Sequence, residues 1–362
     1  MKMDSLFFEL IQVALGERMC ISKVPTEEEW NVLYRMAVKQ SVAGLAFYAI
    51  SRLCEVDGAL KPPSMLFKQW YVVSVAIGEQ NKKLNEAAGL LTRVFASKGL
   101  RTCVLKGQGI ARLYPDPNIR QSGDIDLWVE GKRDDTIKFL KESHFNVGKP
   151  VIHHVDCTII DGIATEIHFM PGYIYNPFLH HRLQSFFRHH AEQQFSNYDP
   201  KLGFAYPTSR FNAVYSLSHI YMHFLYEGIG LRQMIDYYYI IKHLTQEEKQ
   251  VAIKDIKNVG LSHIAGAVMY VLHEVCGMPE DELLGKVDVR RGRLLLKEIV
   301  SGGNFGHSNT LMVQTHNAGM ITRNKVRLQR DFTFFRYYPV DVISIPLWKC
   351  WHWCWRKYKG YL

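Results

Sequence analysis

Asp124 and Asp126 stand two residues apart in Gly123-Asp124-Ile125-Asp126-Leu127-Trp128-Val129, a run that is otherwise apolar and β-prone. Side chains alternate along a strand, so both carboxylates project from one face, roughly 6–7 Å apart along the backbone. Two such charges repel, and carboxylates drawn out of water need donors or a counter-ion. A hard divalent cation such as magnesium compensates paired carboxylate oxygens. The competing reading is an exposed edge strand with two solvated acids.

A third carboxylate comes from a later pair of β-like runs, 151–160 and 163–169, joined by the hairpin-turn dipeptide Asp161-Gly162. On the second run Ile163, Thr165, Ile167 and Phe169 point one way, and Glu166 and His168 the other. If this hairpin packs beside the Asp124 strand, Asp124, Asp126 and Glu166 converge as in a two-metal phosphoryl-transfer site. His168 reads as a hydrogen-bonded framework histidine ahead of a catalytic base.

Upstream, 102–105 reads as a short buried strand ending at Lys106-Gly107-Gln108-Gly109, with a brief helix over 110–114 before Pro115-Asp116-Pro117. Glycines at a strand-to-helix turn let backbone amides approach an anion. Arg112 falls where a dinucleotide fingerprint needs its third glycine, and no Gly-Lys-Ser/Thr is present, so the Rossmann and P-loop readings fail. Lys106 is either a solvated strand-end lysine or a phosphate ligand, and its place before the turn favours the ligand.

Three regions must position these groups. Residues 1–98 show helical periodicity: an amphipathic start, a helix opened by Pro25-Thr26-Glu27-Glu28-Glu29, a second over 41–53, a break at Pro62-Pro63 and a third over 67–96. Residues 99–203 hold the strands and a charged helix over 132–143. Residues 204–362 turn helical again, over 210–226, 231–244, 262–276 and 290–300, with a loop at 301–306 that is an ordinary connection before it is a lid. His219 and His223 lie four apart on one helix face; hydrogen-bonded histidines are favoured over zinc ligands, since no glutamate lies between them. Arg232 and Asp236 have the spacing of an intrahelical ion pair. The tail interleaves Trp348, Trp351, Trp353 and Trp355 with Arg323, Lys325, Arg327, Arg330, Arg336, Lys349, Arg356, Lys357 and Lys359. Aromatic packing of a terminal helix onto the body is favoured there over a membrane, nucleic-acid or partner surface. Cys350, His352 and Cys354 are too few for a zinc site.

Composition narrows the classes. With 362 residues and 47% hydrophobic content the chain can bury a large core. A net charge of +9 suits a phosphate-bearing ligand without indicating nucleic acid. Seven scattered cysteines without a CxxC pair fit a reduced, cytoplasmic protein. No signal peptide and no apolar run long enough to span a bilayer is evident.

Leu105-Lys106-Gly107, Tyr114-Pro115-Asp116, Arg120, Gly123-Asp124-Ile125-Asp126 and Glu166-Ile167-His168, in that order, resemble the uncharacterised branch of the nucleotidyltransferase superfamily, which has the DNA polymerase β-like fold. Gln108 departs from the pattern, standing where a second Gly or Ser is usual. The resemblance implies an α+β fold: a nucleotidyltransferase core with a small mixed β-sheet, flanked by helical N- and C-terminal regions. It implies transfer of a nucleoside monophosphate from a nucleoside triphosphate to a hydroxyl acceptor, with release of pyrophosphate. Asp124, Asp126 and Glu166 would be the catalytic metal ligands for two Mg2+ ions, with Mn2+ as a substitute. Lys106, Gly107, Arg120 and Gly123 would bind triphosphate, and the helices carrying His219, His223, Arg232 and Asp236 would close over the acceptor. A small molecule or saccharide is favoured as acceptor ahead of a protein, and nucleic acid is not expected. The alternative is a catalytically silent nucleotide- or sugar-phosphate-binding interaction protein of the same fold.

Overall fold

A computed structural model describes residues 2–303 and 330–361. The N-terminal region is four helices, α1 (Lys2–Leu15), α2 (Glu27–Lys39), α3 (Ala43–Val56) and α4 (Ser64–Ala96). The start expected from Thr26 is a capping box: the Thr26 hydroxyl accepts from the Glu29 amide, and the Glu29 carboxylate accepts from the Thr26 amide. Pro63 precedes α4, whose first turn leaves its amides without intrahelical partners in any case.

Strands β1 (Thr102–Leu105), β2 (Ile125–Val129), β3 (Asn146–Val147), β4 (His154–Thr158), β5 (Thr165–His168), β6 (Tyr198–Asp199) and β7 (Phe204–Ala205) form one sheet in the order β3-β4-β5-β2-β1-β7-β6. The sheet is mixed. β2 is antiparallel to β1 and parallel to β5, and the expected hairpin is β4 antiparallel to β5. Between strands lie α5 (Gly107–Ala111), which starts earlier than the periodicity predicts, and α6 (Arg133–Glu142).

The alternation of side chains gives the sheet two different faces. Ile125, Leu127 and Val129 of β2, with Val104, Val155, Cys157, Ile167 and Phe204, pack under Leu84, Leu91 and Phe95 of α4 and Leu140 of α6. On the other face Trp128 meets Phe195 of α7 (Pro177–Ser196) at 4.5 Å and Phe211 of α8 (Ser209–Tyr226) at 5.9 Å. Helix α7 is absent from the expectations. Its histidine-rich, weakly patterned sequence hides a strong start, in which the Asn176 side chain accepts from the Phe178 and Leu179 amides and Pro177 follows as the first helical residue.

The C-terminal region holds α9 (Leu231–Lys242), α10 (Gln246–Asn258), α11 (Ser262–Glu274) and α12 (Val289–Gly302). α12 takes in Ser301 and Gly302, expected as loop. Gly303 caps the end of that helix, and residues 304–306, with Arg323, Lys325 and Arg327 of the basic tail, lie outside the described residues. The last helix, α13 (Pro339–Tyr358), lays Trp348 on Tyr173 (5.1 Å, rings nearly parallel) and Trp355 within cation–π distance of Arg133. Trp351 and Trp353 stay half exposed, so only one stripe of the tryptophan-rich helix packs on the body. All seven cysteines are free thiols. No helix among the described residues is long and apolar enough to cross a membrane.

Candidate active site

Register brings the three acids together. Asp126 on β2 lies directly across from Glu166 on β5, and Trp128 across from His168. One strand further out, Asp156 faces Glu166 and His154 faces His168. Paired residues of adjacent strands share a face, so one row of carboxylates and one row containing two imidazoles project from the side of Trp128. A carboxylate oxygen from each of Asp124, Asp126 and Glu166 lies within 4.8 Å of the others.

Asp124 sits just before β2, and the segment leading to it is pinned from behind. The buried Asn81 amide of α4 donates to the carbonyls of Pro117, Asn118 and Arg120 at 3.3, 3.1 and 2.7 Å. Tyr114 and Arg120 then converge on Asp236 of α9. The Arg120 Nε and Nη2 each reach a carboxylate oxygen at 2.8 Å, and the Tyr114 hydroxyl donates at 2.7 Å. Arg120 is 4% exposed and its Nη1 donates to Ser122. The guanidinium expected to grip phosphate is therefore spent on a buried bidentate pair. Asp236, expected to pair within its own helix, is held across elements, while Arg232 donates to the Gln121 carbonyl at 2.7 Å.

The β1–α5 turn is tight, with φ of +41° at Lys106 and +36° at Gly107. The left-handed region is costly for a lysine, and such strain gathers at functional sites. Lys106 thereby aims its ammonium into the cluster, 2.7 Å from Asp126 Oδ1 and 2.9 Å from His219 Nε2. Gln108 faces away from the turn, buried and donating to the Asn81 carbonyl and the Asn85 side chain. Gly109 has no room for more: a Cβ there would lie 2.6 Å from the Val104 carbonyl oxygen. A Cβ at Gly123 would meet nothing within 4 Å.

His219 and His223 form a hydrogen-bonded run leading outward. Their Nε2 atoms are 2.8 Å apart, and His223 Nδ1 is 2.7 Å from Glu227. His168 Nε2 lies 3.0 Å from Asp126 and 3.2 Å from Glu166. His153 and His154 were not singled out by the spacing of acids alone. Alternation in His154-Val155-Asp156-Cys157 carried the signal, since it puts His154 and Asp156 opposite the apolar pair.

The charges compensate one another. Burial pushes the Asp126 carboxyl up, but Lys106 and His168 outweigh it and hold it well below the usual carboxylate range. Glu166 is likewise lowered against its burial by the hydrogen bond from His168, whereas Asp124 is raised by the adjacent Asp126 charge and by burial. Burial opposes charge on His168, yet its two carboxylate partners push it up to about 9. Burial opposes charge on Lys106 as well, and the acids raise it nonetheless. The hard oxygen donors within 4.8 Å fit a divalent cation, and Asp124 is the member with the least compensation.

This sheet, with Asp126 on one strand, Asp124 just before it and Glu166 on the parallel neighbour, defines a nucleotidyltransferase-like core. Residues 26–277 match the family model described as uncharacterised nucleotidyltransferase, and the chain belongs to that family. An antigenic nucleotidyltransferase-like protein from Paracoccidioides brasiliensis, solved by crystallography, is similar at 15% identity over 51% of this chain and 92% of its own, with a TM-score of 0.32. None of the curated proteins matches the chain.

Proposed function

We propose that the chain transfers a nucleoside monophosphate from a nucleoside triphosphate to a hydroxyl acceptor, with Asp124, Asp126 and Glu166 as ligands for Mg2+. The observation that carries this reading is the convergence of the three carboxylates within 4.8 Å, beside a half-buried lysine. In the reaction the acceptor oxygen bonds to the α-phosphorus, the α–β bridging P–O bond breaks, the hydroxyl proton is lost and pyrophosphate departs. Bound divalent ions would supply charge neutralisation for the attacking and leaving oxygens.

The chain's own residues do the positioning. Asp126 and Glu166 are fixed by strand register, and Asp124 by the segment that Asn81 holds. Lys106 offers a positive charge at the turn where phosphate would approach, and His219 accepts from that ammonium and limits its swing. No side chain needs to form a covalent intermediate. The oxygen ligand set and the family are what favour transfer over silent binding. The test is pyrophosphate release with each of the four nucleoside triphosphates against sugar and small-molecule hydroxyl acceptors. Release should depend on Mg2+ and fall to background in Asp126→Ala. Equal background in both proteins would overturn the proposal.

A further inference from the structure

A second group of potential ligands adjoins the three acids, and its donors are of a different kind. One ligand atom from each of His154, Glu166 and His168 lies within 4.8 Å of the others, so Glu166 belongs to both groups. The arrangement follows from the sheet, because His154 and His168 are register partners on β4 and β5 and Glu166 precedes His168 by one alternation. His168 is 2% exposed, and the His154 side chain is 17% exposed.

If the imidazoles served only as hydrogen-bond donors to the acids, one would suffice. His168 already reaches both Asp126 and Glu166. His154 Nδ1 faces the same Glu166 oxygen from 3.8 Å, beyond hydrogen-bond distance. Two metal–ligand bonds of about 2.1 Å that meet at a common ion span about 3–4 Å. The two nitrogen-to-Glu166 separations, 3.2 and 3.8 Å, fall in that span. The other His154 nitrogen, Nε2, faces the Asp156 carboxylate at 3.5 Å, the side from which metal-ligating histidines are usually supported, and a bound ion would take the place of the present 2.7 Å contact between His154 Nδ1 and His153 Nε2.

We propose that His154, Glu166 and His168 form a nitrogen-bearing cation site beside the all-oxygen one, selective over Mg2+ for a transition ion that accepts imidazole nitrogen, such as Fe2+, Co2+ or Zn2+, with Mn2+ as its spectroscopic probe. Two imidazoles and one carboxylate suit these ions, whereas Mg2+ favours oxygen ligands. The chain would then hold two inequivalent pockets that share Glu166, one of oxygen ligands alone and one with two imidazole nitrogens. The site does not depend on nucleotidyl transfer, so absence of pyrophosphate release would leave it standing.

The test uses the full chain, stripped of metal with a chelator and titrated with Mn2+ in excess Mg2+, read by pulsed electron paramagnetic resonance. The wild type should retain one Mn2+ that shows 14N coupling from imidazole, an observation that requires no variant. His154→Gln and His168→Gln should each weaken that Mn2+ by about tenfold or more, while Asp124→Asn keeps it within about twofold. Near-ultraviolet circular dichroism establishes that each variant is folded; if one is not, the other carries the comparison. A wild-type spectrum without 14N coupling, or displacement of all Mn2+ by Mg2+, would overturn the site. Loss of the coupled Mn2+ in Asp124→Asn as complete as in His154→Gln would overturn its separateness.

Discussion

Arg120→Met separates the two roles that Arg120 could play. The guanidinium and the Asp236 carboxylate form two bonds of 2.8 Å at 4% and 8% side-chain exposure. Removing one partner of such a pair leaves a buried charge without its counter-ion, at a cost of about 3–5 kcal/mol. Tyr114 still donates to Asp236, so the lower end, about 3 kcal/mol, is expected. For a chain of this length that corresponds to a melting temperature lower by about 4 °C. In Arg120→Met/Asp236→Leu the stranded charge is gone, and about half of that loss should return. The assay is thermal unfolding followed by circular dichroism, with nucleotide affinity measured on the folded variant by calorimetry. Nucleotide affinity should stay within about twofold of the wild type. A single variant that melts within about 1 °C of the wild type yet loses nucleotide affinity would refute the structural role and put the guanidinium on phosphate.

Three further outcomes follow from the packing. Gly109→Ala forces a methyl to 2.6 Å from the Val104 carbonyl and 3.2 Å from Tyr206; it should cost about 1–3 kcal/mol in urea unfolding, and an unchanged midpoint would show that the turn can relax. Trp348→Ala removes the ring stacked between Tyr173 and His352, so tryptic cleavage at Lys349, Arg356 and Lys357 should speed up, whereas an unaltered rate would mean that α13 docks without it. Burial pushes the Cys157 thiol up to about 11, leaving little thiolate at pH 8. Iodoacetamide mass labelling should therefore modify exposed Cys20, Cys350 and Cys354 well before buried Cys157, whose rate should still be rising above pH 10. Early labelling of Cys157 would contradict the packing of β4.

Much of the framework is legible in the sequence because its signals are local. The capping box at Thr26, the break at Pro63 and the Asp161-Gly162 turn each act within a few residues, and each appears where the sequence places it. Helices α7 and α10 escaped because neither has a strong apolar period: α7 is broken by paired histidines, and α10 is mostly polar with few buried positions. What holds α7 is contact with Trp128 and with Phe211 and Tyr215 of α8, and that is invisible along the chain.

The candidate site divides in the same way. Alternation alone put Asp124 and Asp126 on one side of a strand and Glu166 with His168 on one side of another. Only the parallel register of β2 and β5 could decide that the two sides coincide, since a shift of one residue would have turned Glu166 to the opposite face. The fates of the cations were likewise tertiary. Arg120 carries a charge suited to phosphate, but its nearest carboxylate lies 116 residues away in sequence, on α9. Lys106 faces the acids because of a strained backbone angle that no composition reveals. The sequence by itself determined which groups could do chemistry and on which side of each strand they lie, because those properties depend on neighbours one or two residues apart. The tertiary structure decided which of them meet, because partner choice depends on register and packing between segments far apart in the chain.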